Sequence, residues 1–360
     1  MKARTAIGLM SGTSMDGIDA ALLSQDNVGR LKGGPCCTVP YDSALKSALR
    51  GILGGTGATC EIASVARWLT EEHAKVVRLI LDENDINRRD IDVIGFHGHT
   101  IMHKPDVRKT WQIGDGALLA SLTGIDVVND FRSADVAAGG QGAPFAPLYH
   151  QTLAAELSRP LAVLNIGGVA NVTWIGPGDQ ISAFDTGPGN ALIDDWVHRW
   201  GLGDMDRGGT LAVSGRIDHS ALTVLLEHPY FAASPPKSLD RDEFSVPDSV
   251  DWSVADGAAT LTSFTAHAVA LARDHFPAVS EHWLVCGGGR HNPALMGALR
   301  EVLGVPVRPV ESVGWRGDFL EAEAFAYLAI RHMEHLPLSL PTTTGVPFPM
   351  VGGNLHKSSD

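Results

Sequence analysis

The segment Ile7–Ala21, IGLMSGTSMDGIDAA, decides the fold of this chain. Apolar runs at Thr5–Met10 and Ile18–Leu23 flank Ser11–Gly17, which is rich in small turn-forming residues. This pattern predicts a strand, a tight loop and a returning strand. Closely spaced main-chain N–H groups and hydroxyls form a concavity that binds phosphate oxygens. The alternative is an ordinary hairpin turn, and the density of small polar residues favours the phosphate site.

The predicted phosphate loop differs from the familiar P-loop. The order G-x-x-x-x-G-K-[ST] is absent, and Ser11–Gly17 contains no lysine. Asp16 and Asp19 instead add carboxylates, which are ligands that Mg²⁺ accepts directly or through water.

Length, charge and cysteine content limit the class of protein. A chain of 360 residues is long enough for two domains. The net charge of −13, without a lysine and arginine stripe, argues against a nucleic-acid or anionic-membrane surface. No run of about 20 apolar residues is present, and the N-terminal apolar run is too short for a signal peptide. The four cysteines form no CxxC pattern, so reduced thiols in a cytoplasmic protein are expected.

The second half repeats the opening arrangement in architecture, without repeating its residues. Leu161–Ile166 and Ala170–Ile175 read as strands around Gly167–Gly168, and Ile181–Phe184 reads as a third strand. Together the halves predict an α/β fold of two related domains around a cleft. The Gly/Ala/Pro-rich stretch Arg132–Pro147 is the predicted crossing between them. The predicted domains are 1–133 with 337–360, and 134–336.

Other segments complete this outline. Apolar residues at helical spacing predict a helix over Cys60–Asp82, and Glu321–Met333 is a further predicted helix. His228–Val250, rich in Pro, Ser and charge, reads as a long surface loop.

Two Gly-rich motifs in the second half are candidate parts of a site. In FDTGPGN, Phe184–Asn190, Asp185 ends the predicted strand just before a predicted helix. A carboxylate there is a candidate general base, with a loop-capping Asp as the alternative. In VCGGGR, three glycines after a strand let a flat ligand lie against the main chain. The spacing is not that of a dinucleotide-binding GxGxxG segment.

Three further features are less specific. His97, His99 and His103 have no firm zinc-ligand spacing, so a role other than metal binding is favoured. Arg132 follows an apolar strand, where an arginine can grip a carboxylate, and a solvated arginine is an equal alternative. Glu321 opens a predicted helix, as many first-turn acids do.

Taken together, these motifs resemble the anhydro-N-acetylmuramic acid kinase family along essentially the whole chain. SGTSMDG and DTGPGN are the most specific matches. The matching segments are GLMSGTSMDGIDAAL (8–22), GFHGHT (95–100), QIGDG (112–116), NDFR (129–132), GGQGAP (139–144), LNIGGVAN (164–171), FDTGPGN (184–190), CGGGRHNP (286–293), EAEAFAYLA (321–329) and TTGVPFPMVGG (343–353).

The resemblance implies an actin- and hexokinase-like fold, with two ribonuclease-H-like domains around a central nucleotide cleft. It implies ATP and Mg²⁺ as cofactors, with Mg²⁺ near Asp16. Asp185 would be the catalytic base, and the sugar would contact Asp185, Arg132, Glu321 and His97. The residues implied to bind the nucleotide are Gly12, Thr13, Ser14, Met15, Asp16, Gly17, Ile18, Asp19, Asn165, Gly167, Gly168, Gly287, Gly288 and Gly289.

The implied reaction opens 1,6-anhydro-N-acetylmuramic acid with water and phosphorylates O6. The products would be N-acetylmuramic acid 6-phosphate and ADP, in peptidoglycan recycling. A homodimer in the cytoplasm is a family-level expectation, as is the absence of nucleic-acid and membrane partners.

Two other readings remain open. One is a kinase of the same fold that acts on a different sugar or carboxylate, which composition cannot separate. The other is a nucleotide switch like actin, which would need no base on the sugar side. Asp185 beside GPGN argues against the switch.

Overall fold

The structure is a computed structural model that describes residues 2–12, 15–241, 243–246 and 250–358. The strands are β1 (Arg4–Ser11), β2 (Gly17–Gln25), β3 (Leu31–Pro40), β4 (Val93–Lys104), β5 (Lys109–Ile113), β6 (Val127–Asn129), β7 (Leu161–Ile166), β8 (Val169–Ile175), β9 (Ile181–Pro188), β10 (His282–Cys286), β11 (Val307–Pro309) and β12 (Asn354–His356).

The helices lie between groups of these strands along the chain. They are α1 (Ser43–Gly51), α2 (Thr59–Asp82), α3 (Gly116–Thr123), α4 (Ser133–Ala137), α5 (Pro147–Leu153), α6 (Ala191–Arg199), α7 (Thr210–Ser214), α8 (His219–Leu226), α9 (Pro229–Ala232), α10 (Val254–Leu271), α11 (Pro293–Leu303) and α12 (Leu320–Met333).

The chain forms two compact units. Unit 1 comprises Met1–Leu153 and Phe319–Asp360, and unit 2 comprises Ala154–Asp318. The predicted α/β class and the organisation in two units are confirmed. The observed division differs from the predicted boundaries at 133/134 and 336/337, because α5 and α12 belong to unit 1.

Unit 1 contains a seven-stranded sheet in the order β12-β6-β4-β1-β2-β3, with β5 paired to β4. β1 and β2 form the predicted antiparallel hairpin, and β1, β4 and β6 are parallel neighbours. α2 packs against this sheet through apolar residues at helical spacing, including Leu69, Val77 and Ile80. The sheet therefore places the ends of β1 and β4 beside each other.

Helix α12 lies against the sheet of unit 1 at two paired glycines. Gly8 on β1 and Gly95 on β4 are partners in the parallel register. A Cβ atom at either position would collide with the main chain of α12, at Ala322 and Phe325 respectively. Glycine at both positions thus allows a close helix-to-sheet approach that fixes the start of α12.

Unit 2 contains a five-stranded sheet in the order β11-β10-β7-β8-β9. β7, β8 and β9 are antiparallel neighbours, whereas β7, β10 and β11 are parallel. The end of β7 consequently lies beside the end of β10, where Asn165 pairs with Cys286. This register brings the Gly167–Gly168 turn and the Gly287–Gly289 turn to one edge of the sheet.

Several sequence predictions need correction. β9 continues to Pro188, so Asp185 lies inside a strand and not at its end. Residues 228–250 were predicted as a surface loop, but α9 lies within them, and Phe231 and Phe244 are buried with Phe264. β3 was not predicted, since Gly33, Gly34 and Pro35 interrupt its apolar pattern.

Candidate functional site

The predicted phosphate loop connects β1 to β2 in unit 1. Thr13 and Ser14, both predicted nucleotide contacts, lie outside the described residues. Met15 adopts a left-handed φ of 57°, and its N–H donates to the Gly12 carbonyl at 3.0 Å.

The other predicted residues of this loop have different environments. Met15 and Ile18 bury their side chains in the core, so these side chains are not available to a ligand. The Asp19 carboxylate accepts a hydrogen bond from Thr38 Oγ1 at 2.6 Å. Gly17 is required by packing, because a Cβ there would collide with the Val39 carbonyl. Asp16 is exposed, so its carboxylate is accessible to a cation.

A buried hydrogen-bond chain lies at the base of this loop. Tyr41 donates to Ser11 Oγ at 2.6 Å, and Ser11 Oγ lies 2.9 Å from His99 Nδ1. Burial lowers the pKa of His99 to about 4, so the ring is neutral near pH 7. Tyr41 also donates its main-chain N–H to the Asp16 carbonyl at 3.1 Å. Tyr41 therefore links the two ends of the loop, a role for which the sequence shows no pattern.

In unit 2, three Gly-containing turns interlock at the edge formed by β7 and β10. The N–H groups of Gly189 and Asn190 donate to the carbonyls of Gly168 and Gly167, at 2.8 and 2.7 Å. Asn190 Nδ2 lies 3.3 Å from the Ile166 carbonyl, and a Cβ at Gly289 would meet the Ile166 side chain at 2.5 Å. The structure thus brings together the predicted nucleotide contacts of unit 2, which are Asn165, Gly167, Gly168, Gly287, Gly288 and Gly289.

Three of these glycines have no structural reason to be glycine. A Cβ at Gly167, Gly168 or Gly288 would meet nothing closer than 3.7 Å. None of the three has the positive φ that favours glycine over other residues. Their missing side chains therefore leave space for a ligand to approach the main chain closely, although the Gly167 N–H already donates to the Val169 carbonyl at 3.2 Å. This observation fits a nucleotide at this edge of unit 2.

Asp185 is buried on β9, with 7% of its surface exposed. Its Oδ2 atom accepts the main-chain N–H of Leu239 at 2.8 Å. Its own N–H donates to the Lys237 carbonyl at 3.0 Å, and its carbonyl accepts from the Tyr230 hydroxyl at 2.6 Å. A carboxylate fixed in this way can receive a proton in a defined direction.

The segment from Tyr230 to Leu239 therefore holds Asp185 in place. Burial, together with the negative charge of Asp185, raises the pKa of Tyr230, which keeps its phenol protonated as a donor. Lys237 Nζ donates to the Tyr230 carbonyl at 2.8 Å and lies 4.6 Å from the Tyr230 ring centroid. Burial lowers the pKa of Lys237 to about 8. The sequence did not reveal this role, because main-chain donors carry no residue pattern.

Arg132 and His97 form a pair in unit 1. Arg132 Nε and Nη2 lie 3.1 and 3.0 Å from His97 Nε2, and His97 Nδ1 lies 2.9 Å from the Gly98 carbonyl. Burial and the charge of Arg132 hold the pKa of His97 well below its usual value. The neutral ring therefore donates from Nδ1 and accepts at Nε2. Arg132 Nη1 also donates to the Gly142 carbonyl at 2.6 Å.

Glu321 lies in the first turn of α12 and is exposed. Glu323, two residues further along α12, is buried, and its Oε2 accepts a hydrogen bond from the Tyr149 hydroxyl at 2.8 Å. The predicted sugar contacts Arg132, His97 and Glu321 all belong to unit 1, and Asp185 belongs to unit 2.

Two negative findings concern the described part of the chain. Within it, no group of three or more His, Cys, Asp or Glu side chains could hold a metal ion. In residues 2–12, 15–241, 243–246 and 250–358, no helix combines the length and hydropathy of a membrane span.

Comparison with known proteins identifies the family. The sequence model of the family described as "Anhydro-N-acetylmuramic acid kinase" matches residues 4–357. The chain belongs to this family. The family resemblance that the sequence predicted is thus confirmed. The prediction of a sugar kinase that uses ATP is confirmed with it.

Curated relatives cover nearly the whole chain. The anhydro-N-acetylmuramic acid kinase of Rhodospirillum rubrum is 57% identical over 351 residues, which are 97% of this chain and 93% of that protein. The protein of that name from Paramagnetospirillum magneticum is 54% identical over 357 residues, covering 98% and 99% of the two chains.

Solved structures are more distant. Component A of the (R)-2-hydroxyglutaryl-CoA dehydratase of Acidaminococcus fermentans matches with a TM-score of 0.48 and 12% identity, over 91% of this chain and 98% of that chain. A Schistosoma mansoni hexokinase complexed with glucose matches with a TM-score of 0.45 and 10% identity, over 90% and 85% of the two chains. Likeness at this level carries no weight for the site of an anhydro-N-acetylmuramic acid kinase.

Proposed function

We propose that this protein phosphorylates 1,6-anhydro-N-acetylmuramic acid at O6 while opening its anhydro bridge with water. The products are N-acetylmuramic acid 6-phosphate and ADP, in the recycling of peptidoglycan. Family membership supports the substrate, since relatives 57% and 54% identical carry the name of this kinase. The observation that carries the chemistry is the buried carboxylate of Asp185, held by the Leu239 N–H.

In this proposal Asp185 acts as the general base. Its carboxylate takes a proton from water, and the water oxygen bonds to the anomeric carbon C1. The bond between C1 and O6 breaks, and O6 receives the γ-phosphoryl group of ATP. A fixed carboxylate favours this step because it loses no rotational freedom when the water is bound.

The sugar contacts are assigned to Arg132, His97, Glu321 and Asp185. The Arg132 guanidinium presents cationic N–H donors, and its contacts with His97 and Gly142 limit its rotation. The nucleotide contacts are assigned to Gly12–Asp19 and to the open main chain at Gly167, Gly168 and Gly288. The division into domains 1–133 with 337–360 and 134–336 stays a prediction.

Mg²⁺ is proposed at Asp16, whose exposed carboxylate is the oxygen ligand that this ion accepts. When bound, the ion would neutralise negative charge on the phosphates. We further propose that the protein is a cytoplasmic homodimer without nucleic-acid or membrane partners. Light scattering after size-exclusion chromatography tests whether it is a dimer.

The central test replaces Asp185 with Asn, which keeps the shape and removes the base. We expect kcat to fall by about 10²- to 10⁴-fold, with the dissociation constant for ATP nearly unchanged. Asp179→Asn, on the exposed turn between β8 and β9, is the matched control and should leave kcat unchanged. Near-normal turnover by Asp185→Asn would remove this residue from the mechanism.

A second test locates the oxygen of water in the product. The reaction in H₂¹⁸O, quenched after a few turnovers, should place the label at C1 and leave the phosphate unlabelled. Unlabelled product incubated in H₂¹⁸O for the same time corrects for exchange of the C1 hydroxyl. Label in phosphate would instead indicate simple hydrolysis of ATP. Assays of ADP release with intact N-acetylmuramic acid and with glucose separate this substrate from those of other sugar kinases.

A further inference from the structure

A buried carboxylate outside the predicted site is connected to Arg132 by a continuous series of hydrogen bonds. Asp135 on α4 has 2% of its surface exposed. Its Oδ1 atom accepts the Gly142 N–H at 2.7 Å, and its Oδ2 atom accepts the Thr344 hydroxyl at 2.6 Å. The carbonyl of Gly142 in turn accepts from Arg132 Nη1 at 2.6 Å.

The loop that carries Gly142 has little freedom. Gly142 has a left-handed φ of 67°, and a Cβ there would collide with Val136 and approach His103 Cε1 to 3.1 Å. Gln141 donates its N–H to the Thr344 carbonyl at 2.6 Å. The direction of the Gly142 carbonyl is therefore set jointly by Asp135 and by the segment around Thr344.

The opposite side of the Arg132 guanidinium is restrained as well. Its Nε and Nη2 atoms face His97 Nε2, and its Cζ atom lies 5.4 Å from the ring centroid of Phe145 and 6.0 Å from that of Phe325. The Gly142 carbonyl thus fixes the remaining rotation about the long arginine side chain.

The chemistry of Asp135 favours a role beyond stability. Within the described residues, its carboxylate is paired with a main-chain N–H and a hydroxyl and with no cation. Burying a carboxyl group without a cationic partner costs more free energy than burying an apolar side chain of the same size, which could also hold a loop in place.

We propose that Asp135 and Thr344 are positioning residues that aim the Arg132 guanidinium at the sugar. The segment near the C-terminus thereby sets the affinity for the sugar although Thr344 does not contact it. This inference rests on the proposed sugar contact of Arg132.

The test compares two adjacent threonines. Thr344→Val removes the hydroxyl that Asp135 accepts and keeps the side-chain shape. Thr343→Val is the matched control, because Thr343 is also buried but bonds within its own turn, to the main chain of Leu340. We expect Thr344→Val to raise KM for the anhydro-sugar about tenfold, with kcat and KM for ATP within about twofold. Thr344→Ser should restore the KM, and Thr343→Val should leave it unchanged.

Several outcomes would overturn the inference. An unchanged KM with a lowered melting temperature in Thr344→Val would show a purely structural tie. An equal rise of KM in Thr343→Val would show general loosening of the segment. If Thr344→Val does not fold, Thr344→Ala carries the same comparison, since it also removes the hydroxyl that Asp135 accepts.

Arg132→Met separates this inference from the proposed function. A higher KM in Arg132→Met with no effect of Thr344→Val leaves the sugar contact standing and overturns the positioning role. An unchanged KM in Arg132→Met overturns both. In the double variant, Thr344→Val should add nothing to the KM of Arg132→Met, and an additive rise contradicts action through Arg132.

Discussion

The close contact of α12 with β1 makes Gly8→Ala a sharp test of the structure. A Cβ at Gly8 would lie 2.6 Å from Ala326 N and 2.8 Å from the carbonyl carbon of Ala322. Carbon atoms in contact lie about 3.5–4.0 Å apart, and the Ala322 carbonyl oxygen would lie closer to this Cβ than either of these atoms, so α12 would have to withdraw by more than about 1 Å. The obstructing atoms belong to the main chain of a helix, and no change of rotamer can move them away.

The expected destabilisation follows from these contacts. Overpacking costs about 1–3 kcal/mol and occasionally more, and a main-chain obstruction places Gly8→Ala at the upper end. The lower conformational entropy of unfolded alanine returns about 0.5–1 kcal/mol. The net loss of unfolding free energy is then about 2–3 kcal/mol. For a unit of this size, that loss lowers the melting temperature of unit 1 by about 4–12 °C.

Differential scanning calorimetry measures this change. Gly51→Ala is the control, because Gly51 closes α1 and a Cβ there would meet no atom within 4 Å. We expect Gly51→Ala to retain or slightly raise the melting temperature, since alanine favours helices over glycine. A melting temperature of Gly8→Ala within about 1 °C of the parent would refute the close contact of α12 with β1.

Two further predictions concern unit 2. Gly288→Ala should raise KM for ATP with an unchanged melting temperature, because its Cβ would enter open space; Gly289→Ala should lower the melting temperature, because its Cβ would meet Ile166 at 2.5 Å. Equal effects of the two changes on the melting temperature would contradict the open space found beside Gly288. Burial lowers the pKa of Lys237 from 10.5 to about 8, so between these values the unfolded chain binds more protons than the folded one. The contribution of Lys237 to stability therefore rises with pH across that window. Urea unfolding at pH 7.5 and 9.5 should show this rise reduced in Lys237→Met, and identical pH slopes would argue against the buried amine.

Local patterns were sufficient for much of the fold. The β1–β2 and β7–β8 hairpins follow from apolar runs around Gly-rich turns, and α2 follows from its helical spacing. The family could be predicted for a related reason: SGTSMDG and DTGPGN are continuous segments, which a sequence displays directly.

The sequence was a poorer guide where burial depended on distant partners. Residues 228–250 have the composition of a surface loop, yet Phe231 and Phe244 pack on Phe264 of α10. The contact of α12 with the sheet of unit 1 likewise depends on paired glycines that lie far from this helix in sequence.

The sequence by itself was enough to predict a phosphate loop, to select Asp185 as a candidate base and to identify the family. Only the tertiary structure decided how these groups are held. Leu239 supports Asp185 and Gly142 orients Arg132 through main-chain atoms, which every residue type possesses and no sequence pattern marks. The loop Ser11–Gly17 was visible as a motif, whereas its link to Tyr41 and His99 depended on strand pairing over many residues.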